Sequence, residues 1–486
     1  MIINNITNRS SINKSKIFKA STQQEEMWVN AQNTSFSYWN FLVSRSFKGK
    51  LDLAAFRDSL EMVVRRHSGL RTGFIQDGSV LYQLIQDSFD INEILEIDLC
   101  SCTHQKEFDS HIIQHTKEML QYTFEIERGL LFRVKLFCFG EIIYVIILFN
   151  HLMCDYISTQ LFWSDLVYAY NCRLDQVPID FKPCLQYHEY SEYQERFLET
   201  EAFDAKKAYW NKKLDRSIPS LKLPFGAHGT QASMVFKEIP IPQKLMSDLR
   251  SLALKKRVVF SAIFQLAYYI VLERYSGQKT ISILNIFHSR GVGSQKNSNT
   301  IGLFADTLLN TIELEDDLSL HLLLQRVNSE IQSSIANSEV PYKEVFKSYQ
   351  DKFRHNQSMF QADFNMLKMN SMSCTLSGLV QYGLKDKAIA TKFDTQRNVS
   401  RTRIEEAKCS LDIQSDISLT IKDDTACSKV RMTILCDWNK QEICNDILKN
   451  YIAILKKIAY YPDLSLKDIA LKSKINTDLT FSPSSI

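Results

Sequence analysis

The sequence predicts an α/β protein with mixed sheets, organised as two lobes. The chain has 486 residues, of which 45% are hydrophobic and 23% charged, which is enough material for two cores of ordinary size. In both halves, short apolar runs typical of strands alternate with segments of helical periodicity. Between them, prolines bound a stretch of mixed aromatic and charged residues, which indicates a helical bridge. We therefore predict a flexible tail at 1–16, a first lobe at 17–175, the bridge at 176–224 and a second lobe at 225–486.

The first lobe is predicted to begin with two capped helices and a hairpin. Ser21 or Thr22 is a suitable cap for the first helix, and Asp52 for the second. Between these helices, residues 36–47 alternate in part as a strand does. After the second helix, an Asp-Gly pair at 77–78 lies between two apolar runs, which predicts a tight hairpin turn.

Residues 103–122 predict a further helix, on which His111 and His115 lie one turn apart. Imidazoles at this spacing are able to ligate a metal, but the sequence shows no third ligand nearby. The eleven cysteines are scattered without a repeated CxxC, which indicates neither a zinc site nor a disulfide framework. We therefore predict no metal site.

The most informative segment of the first lobe is its most apolar strand and the turn that follows. Residues 142–149 are consecutively apolar and predict a strand buried on both faces, paired with the alternating LFRVKLFCF that precedes it. Where this strand ends, Asn150, His151 and Asp155 enter a turn that leads into an amphipathic helix. An imidazole and a carboxylate at a strand-to-helix turn are typical of a functional site. A buried, hydrogen-bonded histidine and a helix-capping aspartate explain the same residues equally well.

The second lobe shows the same alternation of strands and helices. Its most apolar segment, at 259–271, has helical spacing and predicts a deeply buried helix. Further helices are predicted at 318–335 and 441–460. Strands are predicted at ISILNIF, QADFNMLKM and KVRMTILCDWN.

Charge and hydropathy exclude two classes of partner. The formal net charge is only +3, and no dense basic run is interleaved with aromatic residues, so no nucleic acid is expected. The polar amino terminus has no apolar signal segment, and no apolar run is long enough to span a bilayer. We expect a cytoplasmic protein that does not bind a membrane.

Several segments match, in order, the motifs of one protein family. NHLMCDY is similar to the motif HHxxxDG, and RHSGLRTGF to RHxxLRTxF. The other similar segments are STQQEEMW, YHEYSEYQ, YWNKKL, IGLFADTLLN, VPYKEVF and RHNQSMFQADFNM. The chain thus resembles, from about Phe18 to Leu471, the condensation domains of nonribosomal peptide synthetases, within the chloramphenicol-acetyltransferase-like HxxxD acyltransferases. The resemblance implies two chloramphenicol-acetyltransferase-like lobes that form a V-shaped pseudo-dimer, with the active site at their junction.

The resemblance also implies roles for individual residues. His151 matches the second motif histidine, which takes or positions the proton of the attacking nucleophile. Asp155 matches the motif aspartate, which pairs with an arginine and supports the loop; Arg290 is the expected partner and Arg71 the alternative. Asn365 matches a position that faces the active-site cleft.

Four residues depart from the family pattern. Asn150 stands in place of the first motif histidine, Asp306 in place of an asparagine, and Glu26 in place of an arginine. Tyr156 replaces the motif glycine, whose lack of a side chain lets substrate approach the backbone, so the phenol is expected to narrow a tunnel or to occupy a substrate's place. We expect Asn150, Tyr156, Asp306 and Asn365 to line the active site.

The matching segments cover nearly the whole chain, without an adenylation or carrier segment, which implies a free-standing enzyme. It would transfer an acyl group from the phosphopantetheine thioester of an acyl or peptidyl carrier protein in trans to an amine, in nonribosomal peptide or hybrid natural-product biosynthesis. The acceptor would be a small-molecule amine or a carrier-bound aminoacyl group, and ester formation is a variant of the same reaction. We expect a monomer with no bound cofactor. The alternatives are a catalytically degenerate docking module and a CoA-dependent O/N-acyltransferase of the same superfamily.

Overall fold

The computed structural model describes most of the chain. The described residues are 16–215, 218–224, 232–291, 298–353, 361–369, 376–381, 415–424, 427–437 and 443–469. The predicted tail, apart from Lys16, lies outside them, as do 354–360 of the RHNQSMF segment and the first two residues of the predicted last helix.

The described strands and helices alternate along both halves of the chain. The strands are β1 (Lys16–Lys19), β2 (Asn40–Gly49), β3 (Thr72–Asp77), β4 (Val80–Ile85), β5 (Leu95–Leu99), β6 (Phe132–Phe139), β7 (Ile142–Asn150), β8 (Ala232–Pro240), β9 (Thr280–His288), β10 (Ala305–Glu313), β11 (Ala362–Met369), β12 (Leu379–Gln381), β13 (Ile417–Asp424) and β14 (Lys429–Asp437). The helices are α1 (Thr22–Asn33), α2 (Leu53–Arg66), α3 (Ile91–Ile94), α4 (Gln105–Leu120), α5 (Tyr156–Leu174), α6 (Tyr187–Phe197), α7 (Glu201–Lys213), α8 (Gln243–Lys256), α9 (Phe260–Ser276), α10 (Leu320–Ala336), α11 (Tyr342–Phe353) and α12 (Ile443–Tyr460).

The described strands form three sheets. A five-stranded sheet has the order β12-β2-β7-β6-β5, and a six-stranded sheet has the order β10-β9-β11-β13-β14-β8. Both are mixed, because β5 runs parallel to β6 and β11 runs parallel to both of its neighbours. The third sheet, β1-β4-β3, contains the hairpin predicted at 77–78. The predicted α/β class with mixed sheets is confirmed.

Helix caps follow the sequence closely, whereas one predicted strand begins late. Ser21 caps α1 in a capping box with Gln24, and Asp52 caps α2. The segment predicted as a strand at 36–47 starts with a 3-10 turn at Phe36–Trp39, and the strand begins only at Asn40. Asn40 pairs with Asn150, the final residue of β7. The ladder between the two strands therefore extends no further towards residues 36–39.

The strand β7 is the centre of the five-stranded sheet. It pairs antiparallel with β2 on one side and with β6 on the other. Its residues from 143 to 150 are all buried, as predicted for a strand covered on both faces. One face packs against α4, and the other lies in the main core of the first half, together with α2 and α5. Because both neighbours and both faces fix β7, the turn that follows it starts from a rigid position.

Helix α9 plays the same role in the second half. Twelve of its residues are buried, and it packs against α10 and α12 above the six-stranded sheet. The prediction of a deeply buried helix is confirmed here. Among the described helices, none alone has the length and apolar composition to cross a membrane, although α8 and α9, bent by 108°, meet these criteria as a pair.

The first sheet includes a strand from the second half of the chain. The short strand β12 pairs antiparallel with the end of β2. Just before it, Leu376 is buried in the first-half core, and the N–H of Ser377 donates to Asn171 Oδ1 at 2.7 Å. The second half therefore contributes to both large sheets, and the domain boundaries stay predictions.

Candidate active site

The strand β7 ends in an asparagine whose side chain holds the following turn. The Nδ2 of Asn150 donates to the carbonyl of Phe36 at 2.8 Å and to Asn40 Oδ1 at 2.9 Å. Its Oδ1 accepts the N–H of Leu152 at 3.1 Å, and the residue is only 1% exposed. An amide is suitable here because it donates and accepts at once, and the predicted position of Asn150 in the lining of the active site stays a prediction.

His151 follows Asn150, and its backbone and ring are held by residues near the start of β2. Its N–H donates to the carbonyl of Trp39 at 2.9 Å, and its ring centroid lies 5.2 Å from that of Phe41. The Nδ1 atom is buried and meets no hydrogen-bond partner among the described residues. The residue as a whole is only partly buried.

The environment of His151 favours the neutral imidazole. Burial lowers the pKa of His151, although its own backbone carbonyl and the Asp155 carboxylate act in the opposite direction. A neutral imidazole has a free lone pair at neutral pH, and a general base needs this lone pair to accept a proton.

Asp155 is both the cap of helix α5 and one half of an ion pair with Arg290. Its Oδ1 accepts the N–H of Ser158 at 2.8 Å, which caps α5, and a hydrogen bond from Arg290 Nη2 at 2.8 Å. Its Oδ2 accepts the N–H of Phe304 at 3.1 Å. The carboxylate is 0% exposed, and these three donors replace the water it has lost.

A serine and a glycine complete this network between the two halves of the chain. Ser158 Oγ accepts the N–H of Gly302 at 3.0 Å, donates to its carbonyl at 2.7 Å, and accepts from Arg290 Nη2 at 2.7 Å. The N–H of Asp155 also donates to the Gly302 carbonyl, at 3.2 Å. Arg290 Nη1 donates to the carbonyl of Thr300. The loop that bears His151 is therefore fixed to the segment at 300–304.

The charges in this network explain the state of Asp155. Burial raises the pKa of Asp155, but the Arg290 guanidinium, His288 and the donated hydrogen bonds outweigh it and hold the pKa below its usual value. His288 Nδ1 lies 3.9 Å from Asp155 Oδ2, and burial lowers the pKa of this imidazole. Asp155 is consequently ionised at neutral pH, with Arg290 as its main counter-charge.

Arg71, the alternative partner for Asp155, binds elsewhere. Its guanidinium donates to the carbonyls of Val64 at 3.1 Å, Arg65 at 3.4 Å and Gln86. These contacts connect the end of α2 to the residue that follows β4. The structure therefore places Arg71 in the scaffold and Arg290 on Asp155.

Tyr156 is the first residue of α5 and is partly buried. Burial raises the pKa of its phenol, on which Arg45 of β2 and Asp424 of β13 act in opposite directions. The non-glycine residues with positive φ in the described chain are Gln176 and Arg257, so position 156 does not require glycine for its backbone conformation. The effect of the tyrosine is thus on the space around it.

Two of the departures from the family pattern, Glu26 and Asp306, lie in one electrostatic environment. Burial raises the pKa of Asp306 to about 6, against hydrogen bonds from the Thr307 N–H and from Gln23 Nε2, the latter at 2.7 Å. Burial and the Asp306 charge raise the pKa of Glu26 to about 8, while Lys343 acts in the opposite direction. The pair therefore retains a proton at neutral pH.

Asn365 lies on β11, next to the buried Phe364, and is itself partly buried. Alternation along a strand places the two side chains on opposite faces, so Asn365 faces away from the core to which Phe364 belongs. Within the described residues, no hydrogen bond joins Asn365 to His151 or Asp155. Its predicted position in the cleft stays a prediction.

The described residues contain one cluster with the geometry of metal ligands, and it does not include His151. It consists of Asp98 on β5 together with His111 and His115 on α4. The third ligand that the sequence did not reveal is thus supplied by a strand that precedes the histidine helix.

Three residues of the site network were missed by the sequence analysis. Ser158 has a local signal, since it lies three positions after the capping aspartate. His288 stands two residues before Arg290 at the end of a predicted strand, and that position is a usable signal as well. Gly302 contributes through its backbone and has no such signal.

Comparison with known proteins gives a consistent result over most of the chain. A family model described as Condensation domain matches residues 14–479. Bacitracin synthase 1 of Bacillus licheniformis is 24% identical over 438 residues, which is 88% of this chain and 8% of that protein. Malpibaldin synthetase of Mortierella alpina is 25% identical over 420 residues, which is 82% of this chain and 7% of that protein. The first curated relatives are all much longer, and the chain spans 5% to 9% of their length.

Solved structures of low sequence identity share the fold. The condensation domain from Monacolin K polyketide synthase MokA has a TM-score of 0.75 at 17% identity, over 93% of this chain and 99% of that one. The predicted two-lobe, chloramphenicol-acetyltransferase-like fold is thereby confirmed. By its match over residues 14–479, this chain belongs to the Condensation domain family, whose members are acyl-transferring domains of peptide and polyketide synthetases.

Proposed function

We propose that the chain transfers an acyl group from the phosphopantetheine thioester of a carrier protein to an acceptor amine, forming an amide. The observation that carries this proposal is the placement of His151, whose ring is partly buried and whose pKa is lowered. A neutral imidazole at the end of a rigid strand suits proton transfer from an amine that is attacking a carbonyl.

In the proposed step, the amine nitrogen attacks the thioester carbonyl carbon while its proton moves to His151 Nε2. The new carbon–nitrogen bond forms, the carbon–sulfur bond breaks, and the proton passes to the departing phosphopantetheine thiolate. His151 is thus regenerated, and the step balances without an oxidant or a reductant. A hydroxyl acceptor would follow the same course and give an ester.

Asp155 acts in this proposal as a positioning residue. Both of its oxygens are occupied by donors from the α5 amino terminus, Arg290 and the N–H of Phe304. The carboxylate is also 0% exposed, so a substrate cannot contact it directly. Its charge instead fixes the loop that holds His151 against the second half of the chain.

The test combines the donor and the acceptor in one assay. An acyl carrier protein supplied as a separate polypeptide and the matching acyl-CoA are each incubated with a panel of amines and alcohols, and products are detected by mass spectrometry. We expect an amide from the carrier-bound donor, and His151→Ala should reduce turnover by about 10²–10⁴-fold. Product from acyl-CoA alone would indicate a CoA-dependent acyltransferase instead.

A matched control is His321→Ala, since His321 is a partly buried histidine on α10, outside the loop that bears Asp155. This variant should retain turnover. Unchanged turnover in His151→Ala, with both variants folded by circular dichroism, would refute the assigned role of His151.

A second candidate function, a docking module without acyl transfer, is favoured by Tyr156. In the family the corresponding residue is usually glycine, and here it is a partly buried phenol whose pKa is affected by Arg45 and Asp424. If the phenol closes the substrate path, Tyr156→Gly should gain turnover and the native chain should bind the carrier without consuming its thioester. If the phenol only shapes the path, the native chain is active and Tyr156→Gly changes the preferred substrate.

A further inference from the structure

Outside the active site, two histidines and an aspartate converge from a helix and a neighbouring strand. His111 and His115 lie one turn apart on α4, and Asp98 lies on the edge strand β5. The ligand atoms of the three residues are all within 4.8 Å of one another. His111 Nε2 is 2.9 Å from Asp98 Oδ2, and His115 Nε2 is 3.9 Å from the same oxygen.

These distances suit a tetrahedral zinc ion. Zinc–nitrogen and zinc–oxygen bonds of about 2.0 Å in a tetrahedron separate the ligand atoms by about 3.3 Å. The two observed separations lie on either side of this value, so small side-chain rotations bring the atoms into range. A site of two imidazoles and one carboxylate also favours zinc, since calcium and magnesium prefer oxygen ligands alone.

The surroundings hold the imidazoles in place. Glu118 Oε2 lies 3.0 Å from His115 Nδ1, so it accepts the proton of that nitrogen and leaves Nε2 free to ligate. Gln114 Nε2 in turn donates to the other oxygen of Glu118 at 3.0 Å. Both histidine rings pack against Phe137, at centroid distances of 5.8 Å for His111 and 5.6 Å for His115. The ring orientations are therefore set before any metal arrives.

The local charge also favours a dication. Lys135 Nζ lies 3.4 Å from His115 Nδ1, and it donates to Glu96 at 2.6 Å. Asp98, Glu96 and Glu118 together exceed the charge of Lys135 by two negative units, which a divalent cation neutralises. A cavity of about 340 Å³ borders His115 and Glu118 and has room for a water as fourth ligand.

We propose that Asp98, His111 and His115 form a zinc-binding site that connects helix α4 to the edge strand β5. It is independent of the proposed acyl transfer, since it uses no residue of the His151 loop. Binding of the ion at His111 Nε2, which otherwise donates to Asp98, requires the tautomer that carries the ring proton on Nδ1.

The test is a calorimetric titration of the whole chain with Zn²⁺, followed by the same titration on variants. We expect one tight equivalent, an affinity lowered by at least about 10-fold in His111→Ala, His115→Ala and Asp98→Asn, and a loss of about 10–100-fold in Glu118→Gln. The matched control is His104→Ala, an exposed histidine at the cap of the same helix, which should bind as the native chain does.

Two further outcomes decide the identity of the ligands. Cys100 Sγ lies 3.7 Å from Asp98 Oδ1, so Cys100→Ser tests whether a thiolate binds instead. We expect unchanged affinity in Cys100→Ser and a Co²⁺ spectrum without a thiolate charge-transfer band. The proposal is overturned if the native chain binds no Zn²⁺, if His111→Ala and His115→Ala, folded by circular dichroism, keep native affinity, or if His104→Ala or Cys100→Ser loses it.

Discussion

Two carboxylate sites in this protein are removed from water to similar extents and yet differ in charge. Asp155 is 0% exposed and Asp306 is 9% exposed. The pKa of Asp155 is lowered, with the Arg290 guanidinium as the main cause that opposes burial. The pKa of Asp306 is raised to about 6, since only an amide and a backbone N–H oppose burial there. The presence of a cation, rather than depth, decides which carboxylate is ionised.

At the second site, the cation that acts on Glu26 is paired with a different carboxylate. The Lys343 ammonium forms its ion pair with Glu25, and only the Lys343 N–H donates to Glu26 Oε1, at 2.9 Å. In the condensation-domain family, an arginine is usual at the position of Glu26 and an asparagine at the position of Asp306. In this chain two acids, Glu26 and Asp306, stand where the family usually has a cation and an amide. The proton that the pair retains compensates for the missing positive charge.

The largest expected change in stability comes from removing the cation that pairs with Asp155. Arg290→Met leaves a buried carboxylate without its counter-charge, and we expect the free energy of unfolding to fall by about 3–5 kcal/mol. Urea denaturation near neutral pH measures this loss. The loss should shrink at acidic pH, because Asp155 without its arginine has a raised pKa and takes up a proton.

Two further variants separate charge from packing. Arg326 pairs with Glu315 at 2.8 Å on the surface, so Arg326→Met should cost no more than about 1 kcal/mol. The double variant Asp155→Asn, Arg290→Met should recover part of the loss, because it leaves no unpaired buried charge. A double variant as unstable as the sum of its parts would show that packing, not charge, holds the loop.

A smaller effect is expected from the glycine that supports the same carboxylate. A Cβ on Gly302 would lie 1.8 Å from Cδ2 of Tyr187, so either the ring or the 300–304 segment must shift. We expect Gly302→Ala to lower the free energy of unfolding by up to about 3 kcal/mol, as overpacking does. In a Tyr187→Ala background the same change should cost much less, and equal costs in both backgrounds would contradict the proposed clash.

The parts of the site that lie close together in sequence were predictable, and those joined across the fold were not. His151 and Asp155 are four positions apart at the end of an apolar strand, so their placement follows from one local pattern. Arg290 was identified only through a family resemblance, because no local periodicity connects it with Asp155. Ser158 and Gly302 are 144 residues apart, and their contact depends on how the two halves pack.

The same distinction applies to the fold and to the histidine pair on α4. Long elements such as β7 and α9 have enough residues to show a period, whereas the three-residue strand β12 has too few. The spacing of His111 and His115 was visible, but Asp98 reaches them only because β5 lies beside α4. Tertiary packing supplies this third group, and sequence spacing does not encode it.

The smallest of the predicted effects concerns pH and distinguishes the acid pair from Asp155. Glu26 has a pKa of about 8 in the folded chain, above its unfolded value of about 4.5, so the folded chain binds more protons in this window. The contribution of Glu26 to stability is therefore complete at acidic pH and is lost as the pH rises through about 8. Glu26→Gln has no such proton to lose.

We therefore expect Glu26→Gln to gain stability relative to the native chain as the pH rises, by about 1.4 kcal/mol from about pH 6 to about pH 7. Urea denaturation of both chains at each pH measures the difference, in which the contributions of the histidines cancel. Glu344→Gln is the matched control, since Glu344 forms a partly exposed ion pair with Lys207 at 2.9 Å. Its difference from the native chain should stay constant over the same range. If Glu26→Gln also gave a constant difference, Glu26 would be ionised like Asp155, and some cation would have to neutralise it.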